Sequence, residues 1–203
     1  MPENYLYFLD MFGVVSFAVT GSLLGQKKNL DPFGIVVISV ITAIGGSTIR
    51  DIILNHYPIF WIRDIAYLVV IVITSILTQI FDHLIEKIKD ILLICDAIGL
   101  GVFTVIGIRT ALSLDVHPVI CVIMGTVTAV FGGLVRDVIC NEIPIILHRE
   151  IYATACIAGG ILFFILKAVS IPLPLNYGLS ALFIIGIRLV AIKKNLSLPK
   201  IGG

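Results

Sequence analysis

Two copies of one charged pattern lie in the most apolar parts of this sequence. Each copy has two glycines and, about one helical turn later, an Arg-Asp pair. Charged side chains inside long apolar segments are rare and usually mark ion or proton pathways. The candidate pore or gate residues are therefore Gly45, Gly46, Arg50, Asp51, Gly132, Gly133, Arg136 and Asp137.

Both glycine pairs lie near the middle of an apolar segment. Glycine in such a segment either lets another helix approach closely or lets the backbone break and line a cavity. A lone glycine usually serves packing, but a repeated pair followed at once by charge favours a break. We therefore expect the second and fifth segments to be discontinuous helices.

The arginines need partners inside the apolar segments. Because adjacent residues on a helix point in different directions, we expect Arg50 and Arg136 to find those partners elsewhere. Asp10 and Asp96 lie in other apolar segments at matching depths, so we expect one Asp–Arg contact in each half. These four charges either line or gate a water-filled path, or form a purely architectural network.

Hydroxyl side chains near the same turns offer further oxygen ligands for an ion. They are Thr42, Ser47, Thr48, Thr126 and Thr128. The alternative role for each is a hydrogen bond to a carbonyl of its own helix. Phe131, beside the second glycine pair, is bulky enough to plug a pore.

The whole pattern occurs twice at a fixed offset of 86 residues. Between residues 10–65 and 96–151, 18 of 56 positions are identical without a gap. The matched residues are mostly glycines, prolines, charges and amides, which set backbone shape and polar chemistry. A duplicated unit of three segments predicts an inverted repeat with a transport pathway between its halves.

The composition is that of a membrane protein. Hydrophobic residues make up 59% of the chain and charged residues 13%, and the mean hydropathy is +1.11. Seven stretches are long enough to span a bilayer, at 5–25, 33–55, 64–81, 91–111, 118–141, 151–168 and 175–192. We predict an all-α integral membrane protein of one domain, with three-helix repeats at 5–86 and 91–170, a seventh helix at 175–192 and a basic tail at 193–203.

Loop charge predicts the orientation, and missing motifs exclude other classes. With the N-terminus outside, eight Lys and Arg residues face the inside and three the outside, as the positive-inside rule requires. A net charge of +1 without a basic stripe argues against nucleic acid. The four cysteines lack metal-ligand spacing. Without a nucleophile–base pair or phosphate-binding fingerprint, we expect neither an enzyme nor a cofactor.

The motifs resemble those of a known family. The Gly-Gly-Gly-x-x-Arg-Asp-like stretches, inside a 3+3 repeat followed by one more helix, are similar to those of the prokaryotic trimeric intracellular cation (TRIC) channels. The resemblance covers residues 5–192. Each copy departs from the triple glycine once, with Ser47 in place of the third glycine and Phe131 in place of the first.

The resemblance implies a homotrimer in the plasma membrane of a prokaryote. Each protomer is then expected to hold one hourglass-shaped pore for monovalent cations, chiefly potassium and sodium. By similarity to the family, the pore is lined by the first, second, fourth and fifth helices and constricted at the kinked second and fifth, with lipid around the trimer. The candidate residues named above are the positions that match the family's motif.

Electrostatics alone leaves the selectivity and the mechanism open. A broken helix presents a negative carbonyl end and a positive amide end, and arginine near the positive end raises the barrier to cations. A gate is therefore a better role for either arginine than a coordination site. The alternative function is a secondary transporter of a small solute such as glycine or another amino acid, because inverted repeats are frequent in carriers. A non-conducting scaffold is the third.

Overall fold

The computed structural model describes residues 2–81, 88–148, 151–194 and 196, and all regular structure within them is α-helical. The helices are α1 (Pro2–Lys27), α2 (Pro32–Ile53), α3 (Phe60–Arg63), α4 (Ala66–Ile80), α5 (Ile88–Leu112), α6 (Pro118–Ile139), α7 (Ile145–His148), α8 (Ala153–Ala168) and α9 (Leu173–Lys194). Five of them, α1, α2, α5, α6 and α9, are long and apolar enough to cross a membrane. The prediction of an all-helical membrane protein is therefore confirmed.

The remaining helices are shorter. α4 and α8 are apolar and have 15 and 16 residues, and the sequence analysis placed a span at each of them. α3 and α7 have four residues each and were not predicted. Most of the basic tail predicted at 193–203 lies outside the described residues.

The second and sixth helices are built alike because their end signals are repeated. Both begin at a proline, which at the first helical position sacrifices no hydrogen bond. The side chains of Asp31 and His117, 86 residues apart, cap their first turns. Past their last residues, Asn55 and Asn141 take left-handed φ angles of 52° and 51°, a conformation that asparagine tolerates and that stops a helix.

Four helices form a closed ring. α1 packs against α2 and α5, and α6 packs against the same two helices, whereas the diagonal pairs α1–α6 and α2–α5 barely touch. α4 packs outside α1 and α2, α8 packs outside α5 and α6, and α9 covers α5 and α8. The four helices expected to line a pore are therefore neighbours around one axis.

Reciprocal contacts relate the two halves of the ring. A Cβ atom on Gly46 would collide with the carbonyl oxygen of Thr128, and one on Gly132 with the carbonyl oxygen of Thr42. Gly46 and Gly132 are equivalent positions of the repeat, and so are Thr42 and Thr128, so the two contacts are the same contact made once by each half. From Thr42 to Gly46 along α2, the contacting residue of α6 moves back from Gly132 to Thr128, so the two helices cross antiparallel.

α1 and α5 are also related by reciprocal contacts. A Cβ atom on Gly13 would meet Cγ1 of Val102 at 2.8 Å and the ring of Phe103 at 3.4 Å, and one on Gly99 would collide with the ring of Phe17. The two phenylalanine rings are 5.0 Å apart between centroids. Paired contacts of this kind are what a local two-fold axis produces.

The prediction that the second and fifth segments are broken helices was wrong. α2 is helical from Pro32 to Ile53 and α6 from Pro118 to Ile139, without interruption at either glycine pair. Gly46 and Gly132 serve close packing instead, because only a residue without a side chain admits the neighbouring backbone there. No helix end therefore lies at mid-span in α2 or α6 to attract or repel an ion.

Candidate functional site

A buried guanidinium crosses the centre of the ring. Arg136, on α6, has no solvent-exposed surface. Its Nη1 donates a hydrogen bond of 2.9 Å to the hydroxyl of Thr20 on α1, the diagonally opposite helix. The same nitrogen lies 3.4 Å from Oδ1 of Asp96 on α5. One side chain thus connects three of the four ring helices.

Each arginine also pairs with the aspartate beside it, contrary to the sequence expectation. Nε of Arg136 donates to Oδ1 of Asp137 at 2.9 Å, and Nε and Nη2 of Arg50 donate to Oδ1 of Asp51 at 2.9 and 2.7 Å. The rule that adjacent residues do not meet applies to short side chains at the helix surface. A guanidinium is long enough to fold back, and burial favours a charge-assisted bond between the two.

The two aspartates have a second role at the ends of their helices. Oδ2 of Asp51 accepts the N–H of Phe60 at 3.3 Å, and Oδ2 of Asp137 accepts the N–H of Ile145 at 3.1 Å. Phe60 and Ile145 are the first residues of α3 and α7. The Arg-Asp motif therefore joins the ring interior to the short helix that follows each long one.

The expected Asp–Arg contact is present in only one half. Asp96 meets Arg136, as predicted. Asp10 forms no ion pair with Arg50 among the described residues, although it lies within electrostatic range of that guanidinium. The phenol of Tyr67 instead donates to Oδ2 of Asp10 at 2.7 Å.

Tyrosines contribute to both clusters, and the sequence analysis missed them. Tyr67 binds Asp10, and Tyr152 hydrogen-bonds Asp96 in the same way. The two tyrosines are 85 residues apart, so an alignment allowing one deletion after residue 65 would have paired them. Tyr152 also packs against a charge from α9, since the Arg188 guanidinium lies 4.8 Å from the centroid of its ring.

The predicted hydroxyl ligands turn mostly to their own helices. Thr42, Thr48 and Thr128 donate to the carbonyl four residues earlier at 2.6, 2.7 and 2.6 Å, the alternative that the sequence left open. Ser47 is buried and Phe131 is half-buried. A Cβ atom built on Gly45 would lie 3.7 Å from the Cα of Gly132. One built on Gly133 would lie 3.4 to 3.7 Å from side-chain atoms of Tyr152, Arg136 and Asp96.

An exposed ion pair links the two halves at one end of the ring. Oε1 of Glu142, just after α6, lies 3.0 Å from Nζ of Lys28 and 3.4 Å from Nζ of Lys27, both at the end of α1. Hydrogen bonds from Lys28 and Lys27 lower the pKa of Glu142. The ionised carboxylate therefore stabilises the folded chain above the ordinary glutamate pKa, and this stabilisation is lost as the pH falls through the lowered value.

We expect Glu142→Gln to lower stability slightly at pH 7. The loss is less than about 1 kcal/mol, because exposed ion pairs are screened by water and salt. Thermal unfolding in detergent at pH 7 and at successively lower pH measures it, and the difference from the wild type should shrink as the pH falls through the lowered pKa of Glu142. Lys28→Gln is the matched control and should behave in the same way. A difference that does not shrink as the pH falls would mean that the carboxylate charge is not responsible.

The chain has clear relatives. It matches the family model described as "Glycine transporter" twice, over residues 7–83 and 93–168. The UPF0126 inner membrane protein YadS of Escherichia coli (strain K12) is 44% identical over 196 residues, which are 96% of this chain and 95% of that protein. A UPF0126 membrane protein of Vibrio cholerae is 45% identical over 206 residues, covering 98% of this chain and 84% of that protein.

A solved structure has the same fold. The crystal structure of the TRIC trimeric intracellular cation channel orthologue from Rhodobacter sphaeroides superposes with a TM-score of 0.90 at 37% sequence identity, covering 94% of this chain and 98% of that one. Similarity at this level extends over the whole ring and the helices around it. The chain therefore belongs to the family of prokaryotic TRIC channels and UPF0126 membrane proteins.

Proposed function

We propose that the protein is a homotrimeric channel for monovalent cations, chiefly potassium and sodium, with one pore in each protomer. The pore runs through the ring of α1, α2, α5 and α6. The Rhodobacter relative with this fold is named as a trimeric intracellular cation channel. The observation that carries the proposal is the guanidinium of Arg136, held across the ring by Thr20, because charge at the centre of a bundle is costly and marks a pathway.

The charge balance of the two clusters favours cations. Arg136 has two carboxylates near it, Asp96 and Asp137, so the cluster carries a net −1 when both are ionised. The cluster around Arg50 contains the equivalent carboxylates and the same balance. A negative path attracts cations, and a guanidinium within it raises the barrier to them. The candidate gate therefore lies at these arginines, on helices that are unbroken.

Several contacts support seven membrane spans in two inverted repeats. Lys28 at the end of α1 touches Glu142 after the end of α6, so these two points lie on one face of the membrane. The chain returns to the same face only if it crosses an even number of times between them, which requires α4 to span as well as α2, α5 and α6. A repeat of three crossings then enters the membrane from opposite sides in its two copies.

The seventh span and the orientation have separate support. Nη1 of Arg188, near the end of α9, donates to the carbonyl of Ile151, just before α8, at 3.0 Å, so α8 covers most of the depth that α9 covers. The eight-to-three bias of loop charge favours the N-terminus outside and the C-terminus inside. The Escherichia coli relative is named an inner membrane protein, which supports a prokaryotic plasma membrane.

We expect purified protein in a planar bilayer to give discrete current steps in symmetric potassium chloride. Under a salt gradient the reversal potential should lie near the potassium equilibrium potential, because the clusters exclude chloride. Empty detergent carried through the same reconstitution is the control. Steps that reverse near the chloride potential would contradict cation selectivity, and the absence of any steps would contradict the channel.

The second candidate is a carrier of glycine or another small amino acid. The description of the family model favours it, and inverted repeats are common in alternating-access carriers. Saturable uptake of labelled glycine into proteoliposomes, with counter-flow from preloaded vesicles, distinguishes the two. Uptake without current steps would replace the channel with the carrier.

A further inference from the structure

One position breaks the symmetry of the two arginine clusters. Thr20 on α1 accepts the hydrogen bond from Nη1 of Arg136. The equivalent position on α5, 86 residues later, is Ile106, which is buried but has no polar atom in its side chain. The arginine related to Arg136 by the repeat therefore has no side-chain acceptor across the ring at the matching place.

The contacts of Arg50 show the result. Its Nε and Nη2 both donate to the single oxygen Oδ1 of Asp51. Its Nη1 is buried and has no hydrogen-bond partner among the described residues, whereas Nη1 of Arg136 donates to Thr20 and the nitrogen that lacks a hydrogen bond there, Nη2, lies 2.8 Å from Asp137. Within the same part of the chain, Asp10 forms no ion pair with Arg50, whereas Asp96 does so with Arg136. In the region that the structure describes, the guanidinium of Arg50 thus makes polar contacts with Asp51 alone, whereas that of Arg136 contacts Asp137, Thr20 and Asp96.

Because Arg50 makes fewer contacts than Arg136, its guanidinium should be the more mobile of the two. A charge-assisted hydrogen bond shifts the balance between a docked and a displaced side chain by roughly tenfold or more. The guanidinium of Arg136 must break bonds to α1 and α5 before it can leave the ring centre. That of Arg50 can swing around its bond to Asp51 without breaking a contact with the opposite helix.

We propose that Arg50 is the moving gate of the channel and Arg136 its fixed anchor, and that Thr20 and Ile106 decide which arginine has which role. This inference rests on the proposed channel function. It names Thr20 and Ile106 as positioning residues, since each acts through an arginine. It also predicts that the two halves of the pore, although built from one repeated unit, respond unequally to the same substitution.

An arginine-selective dicarbonyl reagent, phenylglyoxal, tests the mobility without any current. We expect the wild-type trimer in detergent to be modified at Arg50 about tenfold faster than at Arg136, as read by peptide mass spectrometry. Thr20→Val removes the acceptor and should accelerate the modification of Arg136. Ile106→Thr supplies an acceptor and should slow that of Arg50. Equal rates in the wild type, or rates that neither substitution changes, would overturn the proposal.

Single-channel recording of the same variants tests the gate. Ile106→Thr should lower the open probability by about tenfold, while Thr20→Ser, which keeps the hydroxyl, should behave like the wild type. Val105→Thr is the matched control, because it buries the same hydroxyl one residue away, on another side of α5. An effect of Val105→Thr as large as that of Ile106→Thr would overturn the gate assignment.

The two readouts separate this inference from the proposed function. Wild-type protein that shows the tenfold difference in arginine reactivity but no current would contradict the channel while leaving the inequality of the arginines intact. Wild-type protein that conducts with equally reactive arginines would contradict the inequality alone. Size-exclusion chromatography of each variant confirms that the assembly compared is the same.

Discussion

Gly46→Ala should prevent the native packing of the ring, whereas Gly45→Ala, one residue earlier, should leave it intact. The added methyl group of alanine at position 46 would collide with the carbonyl oxygen of Thr128 and lie 2.9 Å from its carbonyl carbon. Both atoms are backbone, so no rotamer change relieves the contact, and α2 and α6 must separate. We expect a loss of about 3 kcal/mol or more in the free energy of unfolding.

Gly45→Ala is the matched control because it makes the same chemical change on the neighbouring face of α2. The closest atom to a methyl group there is the Cα of Gly132 at 3.7 Å, an ordinary contact. Alanine also has the higher helix propensity. Stability is measured by thermal unfolding in detergent, together with the yield of assembled protein. Equal losses for the two variants would mean that helix flexibility, and not close approach, is what the glycine pair provides.

Asp137→Ala should be the most damaging single change in the charge clusters. It removes the partner of Nε and Nη2 of Arg136, at 2.9 and 2.8 Å, and the acceptor that begins α7. The guanidinium remains fully buried. Removing one partner of a buried pair typically costs about 3–5 kcal/mol, because the other charge is left uncompensated.

A double variant tests that explanation for Asp137→Ala. Asp137→Leu combined with Arg136→Met removes both charges and should be more stable than Asp137→Ala alone, since well-packed apolar residues replace a buried pair at little cost. Chemical unfolding of purified protein supplies the free energies. If the double variant is the less stable of the two, the remaining contacts of Arg136 stabilise the fold even without Asp137.

The repeat was the most reliable guide in the sequence to the fold. Glycines, prolines, charges and amides matched at one offset, and the structure repeats the helix ends that these residues specify, at Pro32 and Pro118 and at Asn55 and Asn141. End signals of this kind act locally, so they can be predicted without knowing the tertiary structure. The packing of α2 on α6 could not, because a glycine pair fits a break and a close contact equally well.

The contacts predicted between the candidate site residues were partly wrong. We expected Arg50 and Arg136 not to contact the aspartates that follow them in the sequence, but each arginine forms an ion pair with that aspartate. Helix geometry predicts where a Cβ points, but it does not predict how far a long side chain folds back in a buried site. Thr20 and Tyr152 escaped notice because neither carries a charge, and their importance comes only from the helices that bring them to Asp96 and Arg136.

The reciprocal contact between Gly46 with Thr128 and Gly132 with Thr42 has a consequence for how the two halves can diverge. If each half were a separate chain, every substitution would appear on both sides of the axis, and a change that suits one side would be imposed on the other. Because the two halves are joined in one polypeptide, a substitution can occur in one half without occurring in the other. The shared crossing keeps its glycines and threonines in both copies, while Thr20 and Ile106 are free to differ.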